Sequence, residues 1–233
     1  MGTVYLIPTV LSEGVTACLP AYLLDAIKAC SVFFVEDERT ARRCLKSLWR
    51  EMVIDDQEWF NMKKADEVAA PFKRLLKEGK NIGIISDAGC PGVADPGQKL
   101  VAFAQEIGAS VKPLVGPNSI LLALMASGMN GQQFQFTGYI PINILERIAA
   151  IKALETESKT KRCTQIFIET PYRNNQLLET LTKTCGNSTQ ICVAVDLTAA
   201  TESVVTKTVG EWKKSLPELH KRPTIFLLYA GNN

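Results

Sequence analysis

The chain has 233 residues, 46% of them hydrophobic and 21% charged, which suffices to bury one or two apolar cores. A formal net charge of +2 gives no extended basic footprint, so charge neither requires nor excludes an RNA partner. Seven cysteines, odd in number and scattered without a C-x-x-C pair, exclude a disulfide framework and a zinc ribbon, and the lone His220 excludes an H-E-x-x-H site; no metal is expected.

No basic residue precedes Lys28, and apolar stretches such as residues 120–126 are far too short to span a bilayer. A cytoplasmic protein with no membrane association is expected. Taken in chain order, short β-branched and aromatic runs alternate with helical patterns. Residues 4–9 predict a strand and 20–29 a helix with proline in its first turn. Residues 32–35 predict a buried strand, 38–52 a helix with Ala41, Leu45 and Leu48 on one face, and 65–78 a helix stopped by Gly79. A buried strand at 82–85, a helix at 97–107, a strand at 110–115 and a helix at 120–129 follow. The second half predicts a helix over 144–158, a basic linker over 157–162, a strand at 165–169, and a helix at 175–184. A strand at 191–197, a helix at 211–216 and a strand at 224–229 complete it. This alternation is that of an α/β protein with mostly parallel sheets, divided into residues 1–115 and 116–233.

Ligands of open parallel sheets bind beyond the carboxyl ends of the strands, and the glycine-rich turns fall there. Ser86 to Gly97 holds three glycines, two prolines and two aspartates between a buried strand and a helix. Glycine admits close backbone approach and proline fixes the path; Asp87 is assigned to a ligand, Asp95 to capping the next helix. Gly116-Pro117-Asn118-Ser119 places backbone N–H groups at a helix start, suited either to an anion or to an ordinary cap. Glu36-Asp37-Glu38-Arg39 follows the second buried strand, as a helix start or as functional groups at the mouth of a cleft. There is no G-x-G-x-x-G, Walker or G-x-S-x-G motif.

Ser86-Asp87-Ala88-Gly89-Cys90-Pro91 with Asp95-Pro96-Gly97 resembles the S-D-A-G-x-P…D-P-G loop of the tetrapyrrole methylase superfamily. More narrowly it resembles the branch that 2′-O-methylates a cytidine of small-subunit ribosomal RNA. In order along the chain, Glu36-Asp37 with Arg39 and Thr40 resembles E-D-x-R-x-T, and residues 114–119 resemble the P-G turn. Residues 136–141 resemble F-x-G-F-x-P, 166–173 resemble I-F-Y-E-S-x-x-R, and 194–198 resemble a segment ending in E-L-T.

The resemblance implies a homodimer of two-domain α/β subunits that binds S-adenosylmethionine (SAM) in the cleft between domains and methylates ribosomal RNA. The matching cofactor positions are Pro8, Asp87, Ala88, Gly89, Cys90, Pro91, Gly92, Val93, Asn118, Ser119, Ile168, Glu169, Leu197 and Thr224. Methyl transfer needs alignment more than a covalent residue, and a carboxylate near a ribose hydroxyl can assist its deprotonation. Glu36, Asp37 and Glu169 are candidates for that role, with Arg39 and Arg173 as phosphate contacts. The loop Pro8-Thr9-Val10-Leu11-Ser12-Glu13-Gly14 departs from T-P-x-G-N, which bears on the acceptor. A tetrapyrrole, a modified protein side chain, or a binding role without catalysis are the alternatives.

Overall fold

The computed structural model describes residues 1–231, apart from the side chains of residues 64–66. It contains two compact units, Met1–Asn118 and Ser119–Asn233. In the first, β1 (Thr3–Leu6), β2 (Val32–Val35), β3 (Glu58–Asn61), β4 (Ile82–Ile85) and β5 (Ser110–Pro113) form one sheet in the order β3-β2-β4-β1-β5. Every pairing in it is parallel. The crossovers carry α1 (Leu23–Lys28), α2 (Glu38–Leu48), α3 (Ala65–Lys77) and α4 (Gln98–Glu106).

Alternation along the strands divides the core. Phe33 and Val35 join Leu23 and Ile27 of α1 and Ala41 and Leu45 of α2. Val32 and Phe34 join Phe72 and Leu76 of α3 and Leu100 and Ala104 of α4 on the other face. Connections from β2 and β4 therefore leave toward opposite faces, which opens a crevice at the carboxyl ends of these neighbours. Strand β3 escapes the sequence pattern because four residues with exposed ends show no period. It is held by cross-strand rings: Trp59 stacks on Phe33 at 5.1 Å and Phe60 on Phe34 at 4.7 Å. Helix α2 ends at Leu48, short of the expected residue 52, where Lys46 Nζ donates to the carbonyls of Arg50 and Met52.

The second unit contains α5 (Ser119–Ser127), β6 (Phe134–Tyr139), α6 (Ile144–Lys161), β7 (Thr164–Ile168) and α7 (Asn174–Thr184). It continues through β8 (Gln190–Val195), β9 (Ser203–Thr208), α8 (Val209–Trp212) and β10 (Thr224–Tyr229). The α/β class stands, but the mostly parallel sheet expected here is corrected. In the order β6-β7-β10-β8-β9 only β6 and β7 pair in parallel; the other three pairings are antiparallel. Residues 196–202 are too few for a crossover, so β8 and β9 form a hairpin, and β10 inserts inverted between β7 and β8. The expected linker over 157–162 is also corrected. Helix α6 runs to Lys161, braced by a Lys161–Glu157 ion pair at 2.6 Å, and Arg162 ends it in a left-handed conformation. Phe167, Leu177, Leu181, Val193, Trp212 and Phe226 centre the core of this unit.

Candidate functional site

The parallel sheet gathers the loops after β1, β2, β4 and β5 at one end, and polar bonds lock them together. The Thr9 amide donates to the Gly89 carbonyl at 2.8 Å and its hydroxyl to the Ser86 carbonyl at 3.2 Å. The Asp87 amide donates to Glu36 Oε2 at 3.1 Å, joining the β4 and β2 loops across the crevice. Cys90 Sγ donates to the carbonyls of Gly116 and Pro117, at 3.7 and 3.5 Å, and its thiol also bonds Asn118. Pro8 closes the ring against Gly116. A Cβ added to Gly116 would lie 2.1 Å from Pro8 Cβ, so only glycine fits. Gly89 has φ +75, and a Cβ there would meet Leu11 Cδ2 at 3.2 Å. Sequence reasoning placed Pro8 at the site but missed the packing that makes Gly116 obligatory; a P-G turn alone does not reveal its partner.

Electrostatics concentrate in the same place. Burial, followed by the charges of Glu36 and Asp37, pushes Asp87 above the ordinary carboxylate range. Burial, followed by Glu36 and Asp87, pushes Asp95 up to about 6. Asp95 is not the helix cap that the sequence suggested: α4 has Gly97 as its N-cap with no side-chain bond, and the Asp95 carboxylate bonds Ser86 instead. Positive φ on either side of it, at Ala94 (φ +62) and Gly97 (φ +120), turns the loop so that the Asp95 carboxylate faces back toward the strand end. Asp37 caps α2, accepting from the Thr40 amide at 2.8 Å, and that bond lowers its pKa. It is a fold residue rather than a free base. Arg39 is exposed and makes no ion pair among the described residues. A cavity of about 260 Å³ adjoins these loops, lined in part by Thr9, Glu13, Thr40, Arg43, Asp87 and Ala88.

In the second unit, antiparallel insertion of β10 sets its first residue, Thr224, opposite Val195, and Ile225 opposite Ile168. Ile168, Glu169, Leu197 and Thr224 thus share one end of that sheet, while Ser119 opens α5. The Glu169 carboxylate is fully buried. Its Oε1 accepts from Arg173 Nη2 at 2.6 Å and from the Thr170 amide at 2.7 Å, and Arg147 Nη2 stands 3.8 Å from Oε2. Burial acts to raise its pKa, but the Arg173 and Thr170 hydrogen bonds and both arginine charges outweigh it, leaving the pKa lowered. Such a carboxylate is a poor proton acceptor. Arg147 is 1% exposed and also donates to the carbonyls of Pro141 and Ile142, both at 3.0 Å, so the group fastens the β6–α6 loop to the end of β7. Arg147 escaped sequence reasoning because a basic residue in a charged helix reads as solvated. Among the described residues, no group of three or more His, Cys, Asp or Glu side chains is placed to hold a metal.

Solved methyltransferases share this pair of sheets. The methyltransferase CobJ superposes with a TM-score of 0.63 at 17% identity, over 98% of this chain and 94% of its own. Uroporphyrin-III C-methyltransferase from Thermus thermophilus, complexed with S-adenosylhomocysteine, gives 0.59 at 17% identity, over 98% of this chain and 97% of its own. At these identities the likeness defines the fold. In sequence, residues 16–213 match the Tetrapyrrole (Corrin/Porphyrin) Methylases family. Ribosomal RNA small subunit methyltransferase I of Escherichia coli O157:H7 is 31% identical over 99% of this chain and 78% of its own length. The chain belongs to the tetrapyrrole methylase family and is a SAM-dependent methyltransferase.

Proposed function

We propose that this chain transfers the methyl group of SAM to a ribose 2′-hydroxyl of small-subunit ribosomal RNA. The observation that carries the reading is the interlocked set of strand-end loops, with Asp87 and Asp95 desolvated among other carboxylates. A negative, partly buried surface suits a sulfonium cation, and left-handed Gly89 and Gly92 leave backbone groups open to close approach. Similarity over 99% of this chain to a ribosomal RNA methyltransferase supports the RNA acceptor. Pro8, Asp87 to Val93 and Asn118 are the proposed cofactor contacts of the first unit. The proposal extends to Ser119, Ile168, Leu197 and Thr224, each judged by its own effect on cofactor affinity.

When bound, SAM supplies the electrophilic carbon, so the protein needs to align an acceptor and exclude water. Asp87 holds the cofactor by charge and hydrogen bonding, and Glu36 fixes the Asp87 backbone. Glu36 remains the proposed group for assisting a ribose hydroxyl; Asp37 and Glu169 are committed to the fold.

Exposed apolar side chains in the second unit, Leu121, Tyr139, Ile142 and Leu145 among them, favour self-association as a homodimer, checked by sedimentation equilibrium. A ribosomal acceptor supports a cytoplasmic location. The direct test pairs calorimetry with labelled SAM. Wild type binds SAM and labels small-subunit RNA, while Asp87→Ala lowers SAM affinity about 10–100-fold, the effect of losing a bond to a charged group. Unchanged affinity in Asp87→Ala removes this site; labelling of a porphyrinogen or a protein instead of RNA removes the acceptor.

A further inference from the structure

The first loop, where the chain departs from the related pattern, reaches across to α2. Glu13 Oε1 lies 2.9 Å from Arg43 Nη1, and both residues line the 260 Å³ cavity with Thr9, Thr40, Ser47 and Asp87. Thr40, Arg43 and Ser47 share one face of α2, so they meet the cavity together. Arg43 is the one basic residue in that lining, and the neighbouring arginine is otherwise engaged: Arg42 pairs with Glu38 and stands over Trp59 at 5.1 Å. The Thr9 and Ser47 hydroxyls donate to the carbonyls of Ser86 and Cys44, so toward a ligand they offer oxygen lone pairs that a sugar hydroxyl can donate to.

The Glu13–Arg43 pair is mostly exposed, at 75% and 62%, and pairs of that kind are weak and screened by salt. Arginine binds phosphate through shorter, bidentate, charge-assisted bonds. An incoming phosphodiester therefore displaces Glu13, whereas a neutral acceptor gains nothing by doing so. We propose that this cavity receives a nucleotide of the RNA acceptor, with Arg43 as its phosphate contact and Glu13 as a competing anion that screens weak or neutral ligands. The inference rests on the RNA reading given above and concerns how that acceptor is selected.

Both side chains are exposed, so their replacement leaves the core intact, which thermal denaturation verifies. Methyl transfer from labelled SAM to small-subunit ribosomal RNA is measured at low and raised ionic strength. Arg43→Gln raises the KM for RNA about tenfold at low salt and flattens its salt dependence by about one phosphate contact. Glu13→Gln lowers the KM about threefold at low salt, and the double variant matches Arg43→Gln, because Glu13 acts only through Arg43. The proposal is overturned if RNA is methylated with a KM unchanged in both single variants, or if Glu13→Gln still lowers the KM when Arg43 is absent. If wild type binds SAM by calorimetry yet transfers nothing to RNA, the acceptor reading itself falls and takes this inference with it.

Discussion

In the first unit, Asp87 and Asp95 stand among other carboxylates and their proton affinities rise; in the second, Glu169 stands between Arg147 and Arg173 and its affinity falls. All three lie in loops that follow the ends of buried strands, β4 and β7. Asp196, after β8, is paired with an arginine too, accepting from Arg222 Nε at 2.9 Å and Nη2 at 2.7 Å. The all-parallel sheet crowds its acidic loops together, and Lys63, just after β3, offsets the raised Asp87 only in part. The mixed sheet brings the start of β10, with Arg222 just before it, to the same end as Glu169 and Asp196. Strand direction thus separates carboxylates available to a cationic ligand from carboxylates that hold the fold.

The largest expected effect tests the structural half of that contrast. Glu169→Ala leaves Arg147 buried without its counter-ion and costs about 3–5 kcal/mol of stability, read by denaturant titration. Full stability with lost turnover would instead make Glu169 a group of the chemistry. A smaller loss comes from the other unit. Gly116→Ala forces a methyl into the Pro8 ring, which cannot swing aside, and costs about 1–3 kcal/mol, with loosened SAM binding as the loops part. Stability within about 0.5 kcal/mol of wild type would show that the four loops are not interlocked.

The third test sharpens the comparison through pH. Asp95 has its folded pKa raised from 3.8 to about 6, so its contribution to stability is complete below pH 3.8 and is lost as pH rises through about 6. Asp95→Asn removes that loss, and the stability difference between variant and wild type grows in the variant's favour across this window. Glu169 has the opposite sign: its folded pKa is lowered, so its stabilisation is present above the ordinary carboxylate range and fades on acidification. Cation binding favours ionised Asp95, so wild-type SAM affinity climbs with pH through about 6 and flattens in Asp95→Asn. Parallel pH profiles for wild type and Asp95→Asn would remove Asp95 from the acidic surface.

The legibility of the chain follows the same divide. Buried runs such as Val32–Val35, Ile82–Ile85 and Thr224–Tyr229 could be read to the residue, since short, mostly apolar runs have no home but the core. The twelve-residue loop after β4 could be read too, because glycine and proline at a strand end mark a shaped turn. Among the edge strands β5 could be read, but β3, β6 and β9 could not: their partly exposed residues carry little period and they are defined by what they pair with. The sequence assigns Asp95 to a helix cap and leaves Asp37 open between a helix start and a functional group; Asp37 caps α2, while the path of the loop at Ala94 and Gly97 takes Asp95 away from the start of α4.

Local composition determined the α/β class, the buried strands and the loops proposed to hold the cofactor, because propensity and hydrophobic period act over a few residues. Tertiary structure alone decided that β10 enters inverted, that Arg147 is buried beside Glu169, and that Gly116 faces Pro8. Those outcomes depend on which distant segments meet, and the energies of burial and charge pairing exist only once they have met.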